Sequence, residues 1–212
     1  MYNEFIFIFH IIFISLILMT IIHKNNEYIL YIVSSIFLIV INLSVNKTIS
    51  LWGITTTTVE PYTVALFWIG IYCYRIYGKR GQKNISLTFA VTSILFIFST
   101  IWCMLYYEIN ENYLSNAYNI IINKTNYSIL LSACTFYIAY YSERRIFDLF
   151  KKHISEINAQ TVSACISQFI DTILYSFLFF SFFELQTKIQ IIFFAVLIKI
   201  ICIMSYRIFC HK

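Results

Sequence analysis

The chain has 212 residues, of which 60% are hydrophobic and only 12% are charged, and its mean hydropathy is +0.76. Soluble globular domains are about half apolar and about a quarter charged, so this composition argues against a soluble protein and predicts one embedded in a membrane. All four Gly and the single Pro lie between residues 53 and 81. The rest of the chain is therefore free to form uninterrupted helices.

Seven apolar stretches approach the ~20 residues that a helix needs to cross the ~30 Å hydrocarbon core of a bilayer. The fifth of them is short, so its helix either begins within residues 119–126 or continues through residues 143–152. The stretches predict an all-α fold, a polytopic membrane helical bundle of about seven transmembrane helices. In chain order they are residues 5–22, 28–45, 62–77, 87–106, 127–141, 162–183 and 189–206.

The first stretch has the length of a secretory signal peptide but lacks its other features. No Lys or Arg precedes it, and no small-x-small cleavage site follows before His23. We therefore expect a span that is retained.

Lysine and arginine are divided unevenly between the two alternating sets of loops. One set holds only Lys47, Lys124 and Lys188. Because basic residues are retained on the cytoplasmic side, the distribution predicts an outside N-terminus and a cytoplasmic C-terminus. It also accounts for the net charge of +5 without a nucleic-acid partner. The other set holds eleven basic residues: Lys24, Arg75, Lys79, Arg80, Lys83, Arg144, Arg145, Lys151, Lys152, Arg207 and Lys212.

Four ionisable side chains within or near these spans are candidates for a functional role. Asp171 and Lys199 are near the middle of the sixth and seventh spans, Glu60 is at the outer end of the third, and Glu143 is at the cytoplasmic end of the fifth. A charge at the centre of a span costs about 2.5–3.5 kcal/mol, so it usually faces the bundle interior and has a partner. Asp171 and Lys199 therefore form an ion pair between two helices, a ligand site, or both.

Polar residues recur along one face of the sixth span. This face must contact protein or water, either as the wall of a solute site or as a stripe that hydrogen-bonds neighbouring helices. Its members are Ser163, Ser167, Asp171 and Tyr175, with Gln168 and Thr172 beside them.

The segment that contains every Gly and the Pro allows two interpretations. Residues 55–58 are four consecutive Thr, which favour extended backbone, and Pro61 predicts that Glu60 stands just before the first turn of the third span. Non-helical backbone at membrane depth is tolerated where it lines a cavity, which is typical of a solute path. The alternative is an outer loop followed by a Pro-initiated helix that ends at Gly78, with Gly81 in the turn.

The sequence nominates neither a cofactor nor a catalytic centre. The six Cys are scattered without metal or redox spacing, and the four His lack nearby ligands. No zincin, P-loop or nucleophile-elbow motif occurs. We therefore expect no cofactor, no metal site and no enzymatic activity.

Several segments resemble the VUT family of queuosine precursor transporters. In the first half these are Ile41-Asn42-Leu-Ser-Val-Asn-Lys47-Thr48, Leu51-Trp52-Gly53-Ile54-Thr55 and Ile76-Tyr77-Gly78-Lys79. In the second half, Ser163-Ala-Cys-Ile-Ser167-Gln168-Phe-Ile-Asp171-Thr172 is close to the family's S-x-x-x-S-Q-x-x-D-T signature, and Leu197-Ile198-Lys199 matches its last helix. The resemblance runs from about residue 28 to the C-terminus, and residues 1–27 resemble the additional N-terminal helix of longer members.

The resemblance implies a six-helix transporter core over residues 28–212 and an extra helix over residues 1–27, located in the cell (inner) membrane. The implied activity is import of 7-deazaguanine bases, namely queuine or its cyano- and aminomethyl precursors, for queuosine salvage in tRNA.

The chain departs from the family pattern in four places. Glu143 replaces an Asp, Glu60 stands where Asn is common, and Ile71 and Arg75 replace acidic positions.

The predicted partners are thus a small-molecule substrate and the lipid bilayer, and the sequence leaves open whether the chain forms a homo-oligomer. A carboxylate can accept the adjacent N–H and NH₂ of a guanine-like edge, a side amide can complement its carbonyl, and Trp68, Tyr62 or Tyr175 could stack on the ring. Two alternatives remain: uptake of another small heterocycle or vitamin, and a non-transporting membrane scaffold. The predicted substrate-binding residues are Asp171, Gln168, Ser167, Glu143, Lys199, Asn42 and Glu60.

Overall fold

The computed structural model describes residues 2–45, 47–105, 113–179 and 185–210, which form six helices and one two-stranded hairpin. The predicted all-α fold is confirmed for this part of the chain. Among its helices, five are long and apolar enough to cross a membrane. The elements are α1 (Tyr2–Lys24), α2 (Glu27–Ser44), β1 (Thr48–Leu51), β2 (Ile54–Thr57), α3 (Glu60–Leu105), α4 (Tyr113–Phe150), α5 (Glu156–Phe179) and α6 (Leu185–Cys210).

Helix α3 consists of two helices joined by a sharp turn at Gly78. The backbone of Gly78 has φ 60° and ψ −146°, a conformation outside the helical region that favours glycine. Just beyond it, the Cα of Gly81 packs against the backbone carbonyl of Cys73, eight residues earlier, so the chain turns back on itself. The two halves contain the predicted third and fourth spans, with Gly78 ending the first half as expected. The count of seven spans stays a prediction.

Because Gly81 is packed against Cys73, an added side chain has no room there. A Cβ at position 81 would collide with the Cys73 carbonyl oxygen and lie 2.7 Å from the Cβ of Tyr77. Gly81→Ala is therefore expected to lower the free energy of unfolding by about 1–3 kcal/mol, the usual cost of overpacking. The measurement is the apparent melting temperature of the protein purified in detergent. Ala90→Ser, on an exposed position of the same helix, is the control, and an unchanged melting temperature for Gly81→Ala would contradict this turn geometry.

Helix α4 contains the predicted fifth span and extends beyond it in both directions. It begins at Tyr113, ahead of the polar residues 119–126, and also continues through Glu143 to Phe150. Its 38 residues extend about 57 Å at ~1.5 Å per residue, more than the bilayer core requires. The predicted ends at Tyr106 and Phe183, and the basic residue Lys212, lie outside the described residues.

Several turns meet at one end of the bundle, which we call the basic end because Lys24, Arg80, Arg144, Lys151 and Arg207 lie there. Contacts between helices hold it together. Tyr77 donates to the carbonyl oxygen of Asn25 at 3.3 Å, Arg80 pairs with Glu27 at 3.3 Å, and Arg207 donates to Asn158 at 2.7 Å.

The hairpin of β1 and β2 lies toward the opposite end of the bundle. Its strands pair in register from Thr48 with Thr57 to Leu51 with Ile54, and the turn places Trp52 and Gly53 at positive φ. The extended backbone expected from the Thr run is confirmed for Ile54–Thr57. Helix α1 supports the hairpin tip, since the Trp52 amide donates to the Glu4 carboxylate at 2.9 Å.

After the hairpin, α3 begins inside the bundle. The prediction for Glu60 is wrong in one detail: the helix includes it, because the Thr63 amide already donates to the Val59 carbonyl oxygen at 3.0 Å. The Pro61 carbonyl accepts a 2.7 Å hydrogen bond from Tyr206 of α6, and the Tyr62 ring packs against His10 of α1 at 4.6 Å between centroids. Irregular backbone thus enters the bundle, where surrounding helices cover it.

Helix α1 is part of the core. It packs against α6 and α3, and Ile14 and Leu18 are fully buried. The division into residues 1–27 and 28–212 therefore stays a prediction based on sequence, since α1 is not structurally separate.

Candidate functional site

Three ionisable side chains from distant parts of the chain meet inside the bundle. The Lys199 ammonium of α6 lies 3.2 Å from Asp171 Oδ2 of α5 and 3.6 Å from Glu60 Oε2 at the start of α3. All three side chains are buried. The predicted pairing of Asp171 with Lys199 is present, and Glu60 is a third member that the sequence places only at the outer end of a span.

The composition of this triad makes it an unusual structural ion pair. Two carboxylates share one ammonium, and within the described part of the chain Glu60 has one further side-chain partner, the Thr57 hydroxyl, which donates to Oε1 at 3.1 Å. Buried carboxylates are costly unless cations or hydrogen-bond donors satisfy them. An additional donor-rich or cationic group would therefore be accommodated well beside the triad.

The local fold explains how Glu60 reaches Lys199. The hairpin brings the chain into the bundle, so β2 contacts α6 and ends at Thr57. A short turn then starts α3 with Glu60 in its first turn. Helices α5 and α6 pack side by side and place Asp171 and Lys199 at the same depth.

A cavity of about 80 Å³ adjoins the triad. One water needs ~10–15 Å³ by this measure, so the cavity has room for several. Its lining mixes carboxylate, ammonium, hydroxyl, amide and aromatic groups, which is the character of a small-molecule site. Its polar lining residues are Asn42, Thr57, Glu60, Thr63, Ser128, Ser132, Thr135, Asp171, Thr172, Tyr175, Ser176 and Lys199.

Helix α4 supplies a polar wall opposite the triad. Ser128 and the Tyr175 hydroxyl lie 2.8 Å apart, and Ser132 donates to the side-chain oxygen of Asn42 at 3.2 Å. None of the predicted substrate-binding residues belongs to this part of α4. A signal was present, because Ser128, Ser132 and Thr135 recur at the spacing of one helical face.

Of the three aromatic residues predicted to stack on a substrate ring, only Tyr175 lies at the cavity. Tyr175 lines the cavity, as does Phe136, which the sequence did not single out. Tyr62 packs between the rings of His10 and Phe37, and Trp68 packs against the Tyr206 ring at 6.4 Å between centroids. Tyr175 and Phe136 are therefore the aromatic side chains positioned beside this cavity.

The cavity brings together four of the seven predicted substrate-binding residues: Asn42, Glu60, Asp171 and Lys199. Ser167 and Gln168 are buried one helical turn from Asp171 but are not part of the lining. The Ser167 hydroxyl donates to the Ala164 carbonyl, whereas the Gln168 amide has no hydrogen-bond partner among the described residues. Glu143 is also buried and lies outside the lining. The binding roles of these residues remain predictions.

Two of the four departures from the family pattern, Ile71 and Arg75, make structural contacts near the basic end. Ile71 is buried against Phe147 and Ala159, and the Arg75 guanidinium donates to the Gln160 side chain at 3.0 Å. Neither residue lies at the cavity. Within the described part of the chain, no three His, Cys, Asp or Glu side chains are grouped as metal ligands.

Comparison with known proteins identifies the family. Residues 61–209 match the family model described as "Putative vitamin uptake transporter". The chain belongs to this family. Together with the five helices that are long and apolar enough to cross a membrane, this membership makes the chain a membrane transporter. Asp171 and Lys199 lie within the matched region, whereas Asn42 and Glu60 precede it. No curated protein and no solved structure matches the chain.

Proposed function

We propose that this transporter imports 7-deazaguanine bases, queuine or its cyano- and aminomethyl precursors, for queuosine salvage in tRNA. In this proposal the cavity beside Lys199 is the substrate site, the basic end faces the cytoplasm, and the protein resides in the cell (inner) membrane. The observation that carries the proposal is the pair of carboxylates, Asp171 and Glu60, that share one ammonium at the wall of a buried cavity.

The chemistry of the cavity matches the edge of such a base. A guanine-like ring presents an N–H and an exocyclic NH₂ side by side, and a carboxylate accepts both as a charge-assisted pair. Asp171 can do so while Lys199 keeps Glu60 as its second partner. The carbonyl of the base needs a donor. The Asn42 amide, which gives one N–H to the Leu38 carbonyl at 2.8 Å, has a second N–H for this at the cavity, and Gln168 offers another one turn deeper. Tyr175 and Phe136 are placed to stack on the ring.

The direct test is uptake in bacterial cells that lack both their own carrier and de novo synthesis of the queuosine precursor. After verified membrane expression of this protein, we expect queuine or its precursors in the medium to restore queuosine in tRNA. Cells that carry an empty vector are the control. Absence of queuosine despite expression would overturn the substrate assignment.

The charge of the triad predicts which base is preferred. Two carboxylates around one ammonium leave an excess of negative charge, so bases that carry a protonated amine should bind better than the neutral cyano base. We expect the aminomethyl base to outcompete the cyano base by about tenfold, which corresponds to ~1.4 kcal/mol. Competition for uptake of labelled queuine measures this. Equal competition by the two precursors would contradict the electrostatic argument.

A second candidate is uptake of another heterocycle, such as a vitamin. The family description favours it directly, and an excess of carboxylates also suits a cationic heterocycle such as thiamine. Competition of labelled queuine uptake by thiamine, flavins and purines distinguishes the two candidates. Displacement by one of these compounds at lower concentration than by any 7-deazaguanine would favour the second.

A further inference from the structure

A third buried carboxyl group lies between the central cavity and the basic end. Glu143 of α4 is fully buried, and neither of its side-chain oxygens has a hydrogen-bond partner among the described residues. It also forms no ion pair with any residue of that part of the chain, in contrast to Glu60 and Asp171, which share Lys199. Isolated carboxylates of this kind are far too costly to bury with their charge.

The residues one turn away on α4 show which face Glu143 occupies. Tyr140 donates to the Gly70 carbonyl of α3 at 3.4 Å, and Phe147 packs with Ile71 of α3 and Ala159 of α5. Glu143 lies between them on the same helical face, so it points toward the packing of α3 and α5. On the cavity side, Ser163 and Ser167 continue the polar face of α5 toward Asp171.

A closed layer separates Glu143 from the basic end. Phe147, Ile71 and Ala159 form a buried apolar cluster one turn beyond it. Polar contacts continue the layer, because Tyr74 donates to Asp148 at 3.1 Å and Arg75 donates to Gln160 at 3.0 Å. Separation of these contacts would admit water to Glu143 from the basic end.

The other charged groups around Glu143 are engaged elsewhere. On α3, Arg75 is bonded to Gln160 and lies over the Tyr72 ring, and Tyr74 is bonded to Asp148. On α4, Arg144 lies over the Tyr74 ring and 4.0 Å from Asp148. Lys151 holds Asp148 at 2.6 Å, and this hydrogen bond raises the pKa of the Lys151 ammonium. Further titratable groups on the three helices packed here include Tyr140 of α4, Cys73 of α3, and Glu156 and Cys165 of α5.

We propose that Glu143 is a proton-binding site that couples import to the proton gradient. The carboxylate takes a proton from the outer side through the cavity and the polar face of α5. It holds the proton while the apolar cluster is closed, and it releases the proton to cytoplasmic water when that cluster opens. One proton then accompanies one substrate inward. This role rests on the proposed function and on the sidedness given there.

The coupling is tested in proteoliposomes with labelled aminomethyl-7-deazaguanine and an inside-alkaline pH gradient. With the membrane potential held at zero by potassium and valinomycin, because the proton and the cationic base both carry positive charge inward, we expect wild-type protein to accumulate the base about tenfold per unit of pH gradient. A protonophore should abolish this accumulation. Glu143→Gln should show an accumulation ratio near one with or without the gradient, and Glu143→Asp should restore the response. The matched control is Glu156→Gln, an exposed carboxylate on α5. A wild-type protein that only equilibrates, or an accumulating Glu143→Gln variant, overturns the proposal.

A second measurement does not depend on the substrate. Infrared spectra of the purified protein at neutral pH should contain the carbonyl-stretch band of a protonated carboxylic acid, absent from Glu143→Gln and present in Glu156→Gln. Absence of any difference between wild type and Glu143→Gln overturns the proton site. Failure to transport a 7-deazaguanine together with presence of this band would instead overturn the substrate assignment.

Discussion

Replacing Lys199 with methionine is expected to destabilise the protein by about 3–5 kcal/mol, because it leaves Asp171 and Glu60 buried without their shared cation. The apparent melting temperature in detergent and the yield of folded protein should both fall. Methionine keeps the length and apolar character of the lysine side chain, so the loss reports on charge. An unchanged melting temperature would contradict a charged triad.

The third member of the triad predicts an asymmetry that a simple pair would not show. Asp171→Asn leaves Lys199 with Glu60, and Glu60→Gln leaves it with Asp171, so each single change should cost much less stability than Lys199→Met. Combining all three neutral substitutions should recover most of the stability, since no unpaired charge remains. Equal destabilisation by Asp171→Asn and Lys199→Met would indicate that Glu60 contributes little.

The presence of Glu60 beside Lys199 also changes the charge-reversal test of the scaffold alternative. In a scaffold, Asp171→Lys combined with Lys199→Asp should rescue folding, because the pair is merely reversed. Here the introduced aspartate would face Glu60, which lies 3.6 Å from the Lys199 ammonium. Rescue therefore also requires Glu60→Gln. Full rescue in this background, with no stabilisation of the wild-type protein by any 7-deazaguanine, would favour the scaffold.

Much of the fold follows from local sequence properties. Apolar length predicts the helices, and glycine chemistry predicts the break at Gly78. Four β-branched residues in a row predict the extended segment that becomes β2. Each of these signals is contained within a few neighbouring residues, so the sequence alone suffices. The full extent of α4 was not predictable, because its polar ends carry no hydropathy signal.

The candidate site depends instead on contacts between distant segments. The position of Asp171 and Lys199 near the middle of two consecutive spans made an ion pair one of their two predicted roles, and the pair is present. Glu60 joins them only because the hairpin folds into the bundle and starts α3 at their depth, which chain order does not reveal. Conversely, Gln168 and Ser167 adjoin Asp171 in sequence yet lie outside the cavity lining, since successive residues of a helix point in different directions.

The strongest functional prediction concerns Asp171. Under the proposed function, Asp171→Asn should reduce uptake of 7-deazaguanines by about 10- to 100-fold, because asparagine cannot accept two hydrogen bonds from the base as a charged group. Its retained partner Glu60 keeps Lys199 neutralised, so expression and melting temperature should remain close to wild type. Uptake is read as queuosine in tRNA, alongside the amount of protein in the membrane.

Glu156→Gln provides the matched control, since it also neutralises one carboxylate, but at an exposed position at the start of α5. Its uptake should stay within about twofold of wild type, because exposed surface charges contribute little. Binding of labelled base to purified Asp171→Asn separates lost recognition from lost movement. Wild-type uptake by Asp171→Asn would remove this carboxylate from the site, and the negative charge that favours aminomethyl over cyano bases would then have to come from Glu60 alone.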